Sequence, residues 1–218
     1  MKKYLSFFRL RFTMNLQYRA AAFGGVATQF AWGFMEIMVF RAFYRADPGA
    51  FPMSFSATAS YVWLQQAFLA LFAPWLMEQE IFSSIVNGNV VYELCRPLSI
   101  YNMWFSRSAA TRLSKAVLRC FPILVVAAFL PSPYGIVPPA SRRHFILFLA
   151  ALILGLAMTV SFCVLIYILA FFTISPQGLQ MIFITLTDFF SGGIIPLPFF
   201  PEKMREFMEL LPFAATQN

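Results

Sequence analysis

From Phe145 to Thr173 the chain reads FILFLAALILGLAMTVSFCVLIYILAFFT, without a single Asp, Glu, Lys or Arg. At about 1.5 Å rise per residue, a helix of that length crosses a hydrocarbon layer of about 30 Å. The run predicts a membrane span from about His144 to Thr173. The rest of the sequence is of one kind with it. Hydrophobic residues make up 60% of the 218 positions and charged ones 11%, against about 25% charged in average soluble domains. A soluble domain of this size could not bury so much apolar surface. The pattern predicts an all-α polytopic membrane helix bundle.

Four more spans are expected, at about 20–44, 57–77, 103–131 and 177–195. Ahead of the first, residues 1–19 mix bulky apolar and basic groups. Leu5, Phe8, Phe12 and Leu16 recur at helical spacing, which predicts an amphipathic helix lying in the inner membrane interface. Pro48, Gly49 and Pro52 mark a turn after the first span. Arg107, Arg112, Lys115 and Arg119 fall within an arc of about 140° at 100° per residue, so the third helix should start in the cytosol with a basic face. Pro131 to Arg143 reads as an outer loop. Gly192-Gly193 with Pro196, Pro198 and Pro201 breaks the helix after the fifth span. With a short helix from Glu202 to Leu211, it predicts an outer re-entrant element over about 192–213, packed on other helices because its free backbone groups need shielding.

The basic residues fit one orientation. Five precede the first span and five lie between the second and third, ten in all. The outer pairs Arg41/Arg45, Arg142/Arg143 and Lys203/Arg205 make six. The excess sets the N-terminus inside. A net charge of +7 arranged in this way argues against nucleic-acid binding. Lys2, Lys3, Arg9, Arg11 and Arg19 interrupt any apolar core of a cleavable signal, so the first span is expected to act as its own insertion signal. Cys95, Cys120 and Cys163 are scattered and suggest neither a disulfide framework nor a metal site.

None of the four lysines follows a glycine, which excludes a Walker phosphate loop. HExxH and GxSxG motifs do not occur. The lone His144 stands beside two arginines at a helix start and reads as an interfacial residue. Polar residues inside spans remain, where they are costly. Gly25, Gln29, Trp32 and Glu36 share one face of the first span. Gln177, Gln180, Thr187, Asp188 and Ser191 form a stripe on the fifth. Gln29, Glu36, Gln180, Asp188 and Ser191 could line a translocation path, or join helices by hydrogen bonds.

Between the second and third spans lies NGNVVYELCRPLS, Asn87 to Ser99. With Glu78-Gln-Glu80 and the run Ile81–Val86 ahead of it, residues 78–97 read as a cytosolic amphipathic element. Asn87-Gly88-Asn89 breaks it, and Pro97 keeps it from continuing into the third helix. A short rigid element between two spans suits docking into a partner's groove.

The order of these pieces is what carries a resemblance: a basic interfacial helix, two spans, a cytosolic E-x-E…G-x-x-x-x-x-L-x-R-P-x-S segment, a basic third helix, two spans and an outer GG-x-x-P-x-P-x-x-P element. It resembles the membrane permease of a bacterial type-two ABC exporter with a half-size, six-span subunit. The resemblance implies a homo- or heterodimer of permeases bound to two cytosolic ATPase subunits. It implies a coupling helix at about Glu80–Leu94, with Glu80, Gly88, Glu93, Arg96 and Pro97 as its landmarks. ATP and magnesium would then sit on the ATPase, and this chain would bind no cofactor or metal and carry no catalytic residue. A sixth span is expected after Asn218. The alternatives are an ion-coupled secondary transporter using Glu36 and Asp188, and a membrane scaffold that transports nothing.

Overall fold

A computed structural model describes residues 2–17, 19–47, 49, 51–139, 141–173, 175–193 and 195–214, with the backbone alone for 19–22. Pro48, in the expected first turn, and the Arg19 side chain lie outside the described residues. Those residues form helices and no strands. In chain order the helices are α1 (Lys2–Gln17), α2 (Arg19–Ala46), α3 (Phe55–Phe72), α4 (Gln79–Val86), α5 (Val90–Leu94), α6 (Ile100–Phe129), α7 (Arg142–Leu169), α8 (Pro176–Phe190) and α9 (Glu202–Leu210).

Serine caps begin three of them. Ser54, Ser99 and Ser141 each accept a hydrogen bond from a backbone N–H in the first turn of α3, α6 and α7, meeting donors that have no partner within the helix. His144 shares the last of these caps, with Nδ1 2.8 Å from the Ser141 hydroxyl.

The helices α2, α3, α6, α7 and α8 alternate between two ends of a bundle, with α6 packed on α1, α2, α3 and α7. At the first end, α1, the α3–α6 connection and the α7–α8 turn come together. Trp104 stacks on Phe171 at 6.3 Å, and the Gln79 amide reaches Gln180 at 3.5 Å. At the second end, rings gather from all three connections. Tyr44 stacks on Phe51 at 4.5 Å, Phe55 meets Tyr134 at 5.7 Å, and Phe199 packs on Phe40 at 5.6 Å. Two apolar cores follow this division. Ile81, Trp104, Cys163, Val164 and Tyr167 lie in one, and Ile37, Val62, Trp63, Ile123 and Ala127 in the other.

Among the described residues two helices are long and apolar enough to cross a membrane, Phe23–Ala46 and Arg142–Phe172. Only 28% and 33% of their apolar windows are buried within the chain, and Ile146, Ile153 and Leu154 of α7 stand open. The other expected spans depart from their predicted bounds for local reasons. Helix α3 stops at Phe72 instead of continuing to Met77, because Pro74 follows and carbonyls at its end turn to a side chain of α6. Helix α8 stops at Phe190 rather than reaching Ile195. Gly192 there adopts φ +79°, a left-handed turn that ends helices and that side chains with a Cβ resist. Helix α6 begins at Ile100, right after its serine cap, and not at Met103.

Helix α1 lies along α6, with Phe8, Phe12 and Leu16 of its apolar stripe half-buried. Tyr4, Arg11 and Asn15 point inward and bond to Ser99, Glu78 and Thr111, while Leu5 remains open. The basic face expected on α6 turns partly into the bundle. Arg112 is 1% exposed, and Arg107 turns onto buried Glu78, because each finds oxygen acceptors inside the bundle. The segment after α8 folds on itself through Leu197, Met208 and Ala214. The Gln65 amide of α3 donates to the Gly193 carbonyl at 2.9 Å, and this supplies part of the shielding that the re-entrant reading requires.

Candidate functional site

Residues 78–97 form a helical hairpin on the first end. Ile81 and Phe82 of α4 and Val90 of α5 are buried, with the Phe82 ring 5.1 Å from Tyr167. Gly88, φ +73°, reverses the chain after α4, a backbone state that glycine enters without strain. The opposite face is open and apolar. Val86, Val91, Tyr92 and Leu94 are 64%, 56%, 75% and 58% exposed. Arg96 and Pro97 are exposed beside them.

This tip rests on an ionic mount. Arg11 of α1 bonds Glu78 and Glu80 at 3.1 Å each. Arg107 of α6 bonds Glu78 at 3.1 Å and also pairs with Glu80. The Glu78 backbone N–H donates to the Tyr167 hydroxyl at 2.7 Å, tying α7 to the same point. The two carboxylates are unequal. The Glu78 side chain is 9% exposed and the Glu80 side chain 69%, so screening by solvent leaves the Glu80 pairs weak. Burial pushes the Glu78 carboxyl up, but the Thr111 hydroxyl and the Arg107 and Arg11 guanidinium groups outweigh it and hold Glu78 below its ordinary range. Burial likewise opposes the charge on Arg11, and Glu78 and Glu80 outweigh it, raising Arg11 above its ordinary value.

One further bond fixes the hairpin, and a second side chain of α6 fixes the end of α3 ahead of it. The Trp104 indole N–H donates to the Glu93 carboxylate at 2.7 Å. Arg112 donates to the carbonyls of Leu71, Ala73 and Leu76 at 3.1, 2.9 and 2.8 Å and contacts the Cys163 sulfur at 3.1 Å. A cation at a helix carboxyl end meets both its free carbonyls and its dipole. Glu80 and Glu93 are thus bonded within the chain, Glu80 still largely open to solvent, beside the exposed apolar Val91, Tyr92 and Leu94.

The polar residues of the expected path are divided among several places. Gln29 is 3% exposed, and both its amide atoms lack a hydrogen-bond partner among the described residues. Glu36 accepts from Gln66 at 3.4 Å, while Trp32, on the same predicted face, is 58% exposed. Gln180 sits at the first end against Gln79. Ser191 is fully buried, with no bond to its hydroxyl among the described residues, and Asp188 is half-buried. No ion pair or hydrogen bond joins Glu36 to Asp188 among the described residues. No group of three or more His, Cys, Asp or Glu residues there could hold a metal.

Sequence reasoning passed over Glu78, Arg11 and Tyr167 as site residues. The one available signal was a carboxylate directly after an apolar run, which demands a cation when buried. In comparisons with family models, curated proteins and solved structures, the chain matched none.

Proposed function

We propose that the chain is the membrane-spanning permease subunit of an ATP-binding-cassette exporter. In this reading α2, α3, α6, α7 and α8 cross the cell membrane, and the α4–α5 hairpin docks on a separate cytosolic ATPase that holds ATP and magnesium. The observation that carries it is the hairpin itself: an exposed apolar tip of Val86, Val91, Tyr92 and Leu94 on a base fixed by Glu78 and Glu93. An unpartnered apolar tip at the basic end of the chain suits a groove on another protein. A rigid base lets a push on that tip reach α1, α6 and α7 together through Arg11, Arg107 and Tyr167. The open flanks of α2 and α7 support lipid or a second permease subunit as their surroundings, since a soluble protein seldom exposes apolar patches of that extent.

The test is the double substitution Val91→Asp with Tyr92→Asp in membranes that also contain the ATPase. Both side chains are exposed, so the fold should hold. Co-purification of the ATPase and its stimulation by this subunit should both fall by about tenfold or more, the range for losing an anchoring contact. Unchanged association would remove the docking role. An ion-coupled transporter is the second reading, favoured by Asp188, half-buried without a bonding partner among the described residues. Glu36→Gln with Asp188→Asn would then abolish transport, and depletion of ATP would not.

A further inference from the structure

Arg11 of α1 and Arg107, Arg112, Lys115 and Arg119 along α6 make five cations, against the two carboxylates Glu78 and Glu80 at the start of the row. Arg11 and Arg107 are paired with the carboxylates, and Arg112 is met by carbonyls. Lys115 and Arg119 are left over. Both are partly buried on successive turns of α6, and neither has an ion pair or hydrogen bond among the described residues. Lys115 feels the attraction of Glu78 ahead of the repulsion of Arg119 and Arg112, whereas among the described residues no carboxylate is set against Arg119, which leaves the end of the row open to an anion. The Arg119 Nε is buried with no partner. Its guanidinium lies where α2 offers only a glycine: a Cβ at Gly25 would stand 2.5 Å from the Arg119 Cζ. One turn along the same face of α2 comes Gln29, with its unpartnered amide.

We infer that Lys115 and Arg119, closed over by α2 at Gly25, bind a phosphate-class anion presented by a lipid headgroup. This rests on the membrane reading above. Arg119 immediately precedes Cys120–Phe129, the most apolar part of α6, which sets the pair at headgroup depth on the basic side of the membrane. Cations placed so, between helices, attract anionic lipid.

The experiment uses the full chain in detergent with mixed micelles of phosphatidylglycerol or phosphatidylcholine, read by native mass spectrometry. The protein should retain phosphatidylglycerol over phosphatidylcholine by roughly tenfold or more, as two cations near a headgroup allow. Lys115→Gln with Arg119→Gln should remove that preference, and Arg119→Lys should keep most of it. Gly25→Ala, which displaces the guanidinium without removing its charge, should reduce it. Equal retention of both lipids by the unaltered protein, or undiminished preference in the double variant, overturns the site. Displacement of phosphatidylglycerol by inorganic phosphate at equal concentration overturns the lipid as its source. A chain that fractionates with membranes yet shows no preference loses this site alone. A chain that does not enter membranes loses the function proposed above.

Discussion

The two ends of the bundle differ in what dominates their joints, ion pairs and carbonyl bonds at the first and ring contacts at the second. At the first, Arg11, Arg107 and Arg112 fasten α1, α3, α4 and α6 through bonds of fixed direction. At the second, Tyr44, Phe51, Phe55, Tyr134 and Phe199 meet ring to ring, with Arg41 over Tyr134 at 5.3 Å. Ring packing tolerates many tilts, and the observed pairs range from stacked to perpendicular. Charged bonds to carboxylates and carbonyls do not tolerate such freedom. The first end is therefore held to one geometry more strictly than the second.

If direction is what matters at the first end, its largest loss should come from Arg112. Arg112→Met keeps much of the volume but abandons three carbonyls at the end of α3, in a site 1% exposed. A loss of about 3–5 kcal/mol is expected from such buried, unmet acceptors, read as a large fall in the thermal midpoint of the purified protein. The matching change at the second end is Trp63→Phe. It removes a 2.8 Å bond from the indole N–H to the Tyr134 carbonyl and leaves the rings of Phe30 and Phe34 in place around it. About 2 kcal/mol is expected. A larger loss from Trp63→Phe than from Arg112→Met would reverse the comparison.

Glu78 ties the first end to acidity. Its folded pKa lies below the ordinary carboxylate value, so its contribution is fully present above that ordinary value. The contribution fades as pH falls from about 5 through the lower folded value. Glu78→Gln should cost about 1–2 kcal/mol at neutral pH and flatten the acid limb of the stability profile. A variant with an unchanged acid limb would show that other carboxylates set it.

The apolar runs made α2 and α7 readable before any coordinates, because a span is written in consecutive residues. So was the hairpin, since Gly88 and Pro97 break helices by local rules. The partners of Glu78 were not readable in this way. Arg11 and Arg107 lie 67 and 29 positions away, and no periodicity links them. The arc of cations on α6 was visible as an arc, but whether it turned outward or inward depended on acceptors on α3 and α4. The same limit applied to Glu80 and Glu93, whose partners Arg107 and Trp104 lie on α6 and are set by the packing of that helix.

Glu80 gives the smallest and most discriminating effect. It shares Arg11 and Arg107 with Glu78 and differs in being open to solvent. If burial gives the mount its strength, Glu80→Gln should cost less than about 0.5 kcal/mol, and added salt should shrink even that. Thermal midpoints of Glu78→Gln and Glu80→Gln at low and high salt separate the cases. Equal losses from both would mean that contact geometry alone sets the bond, and the first end would then owe its rigidity to the number of charges rather than to their shelter from water.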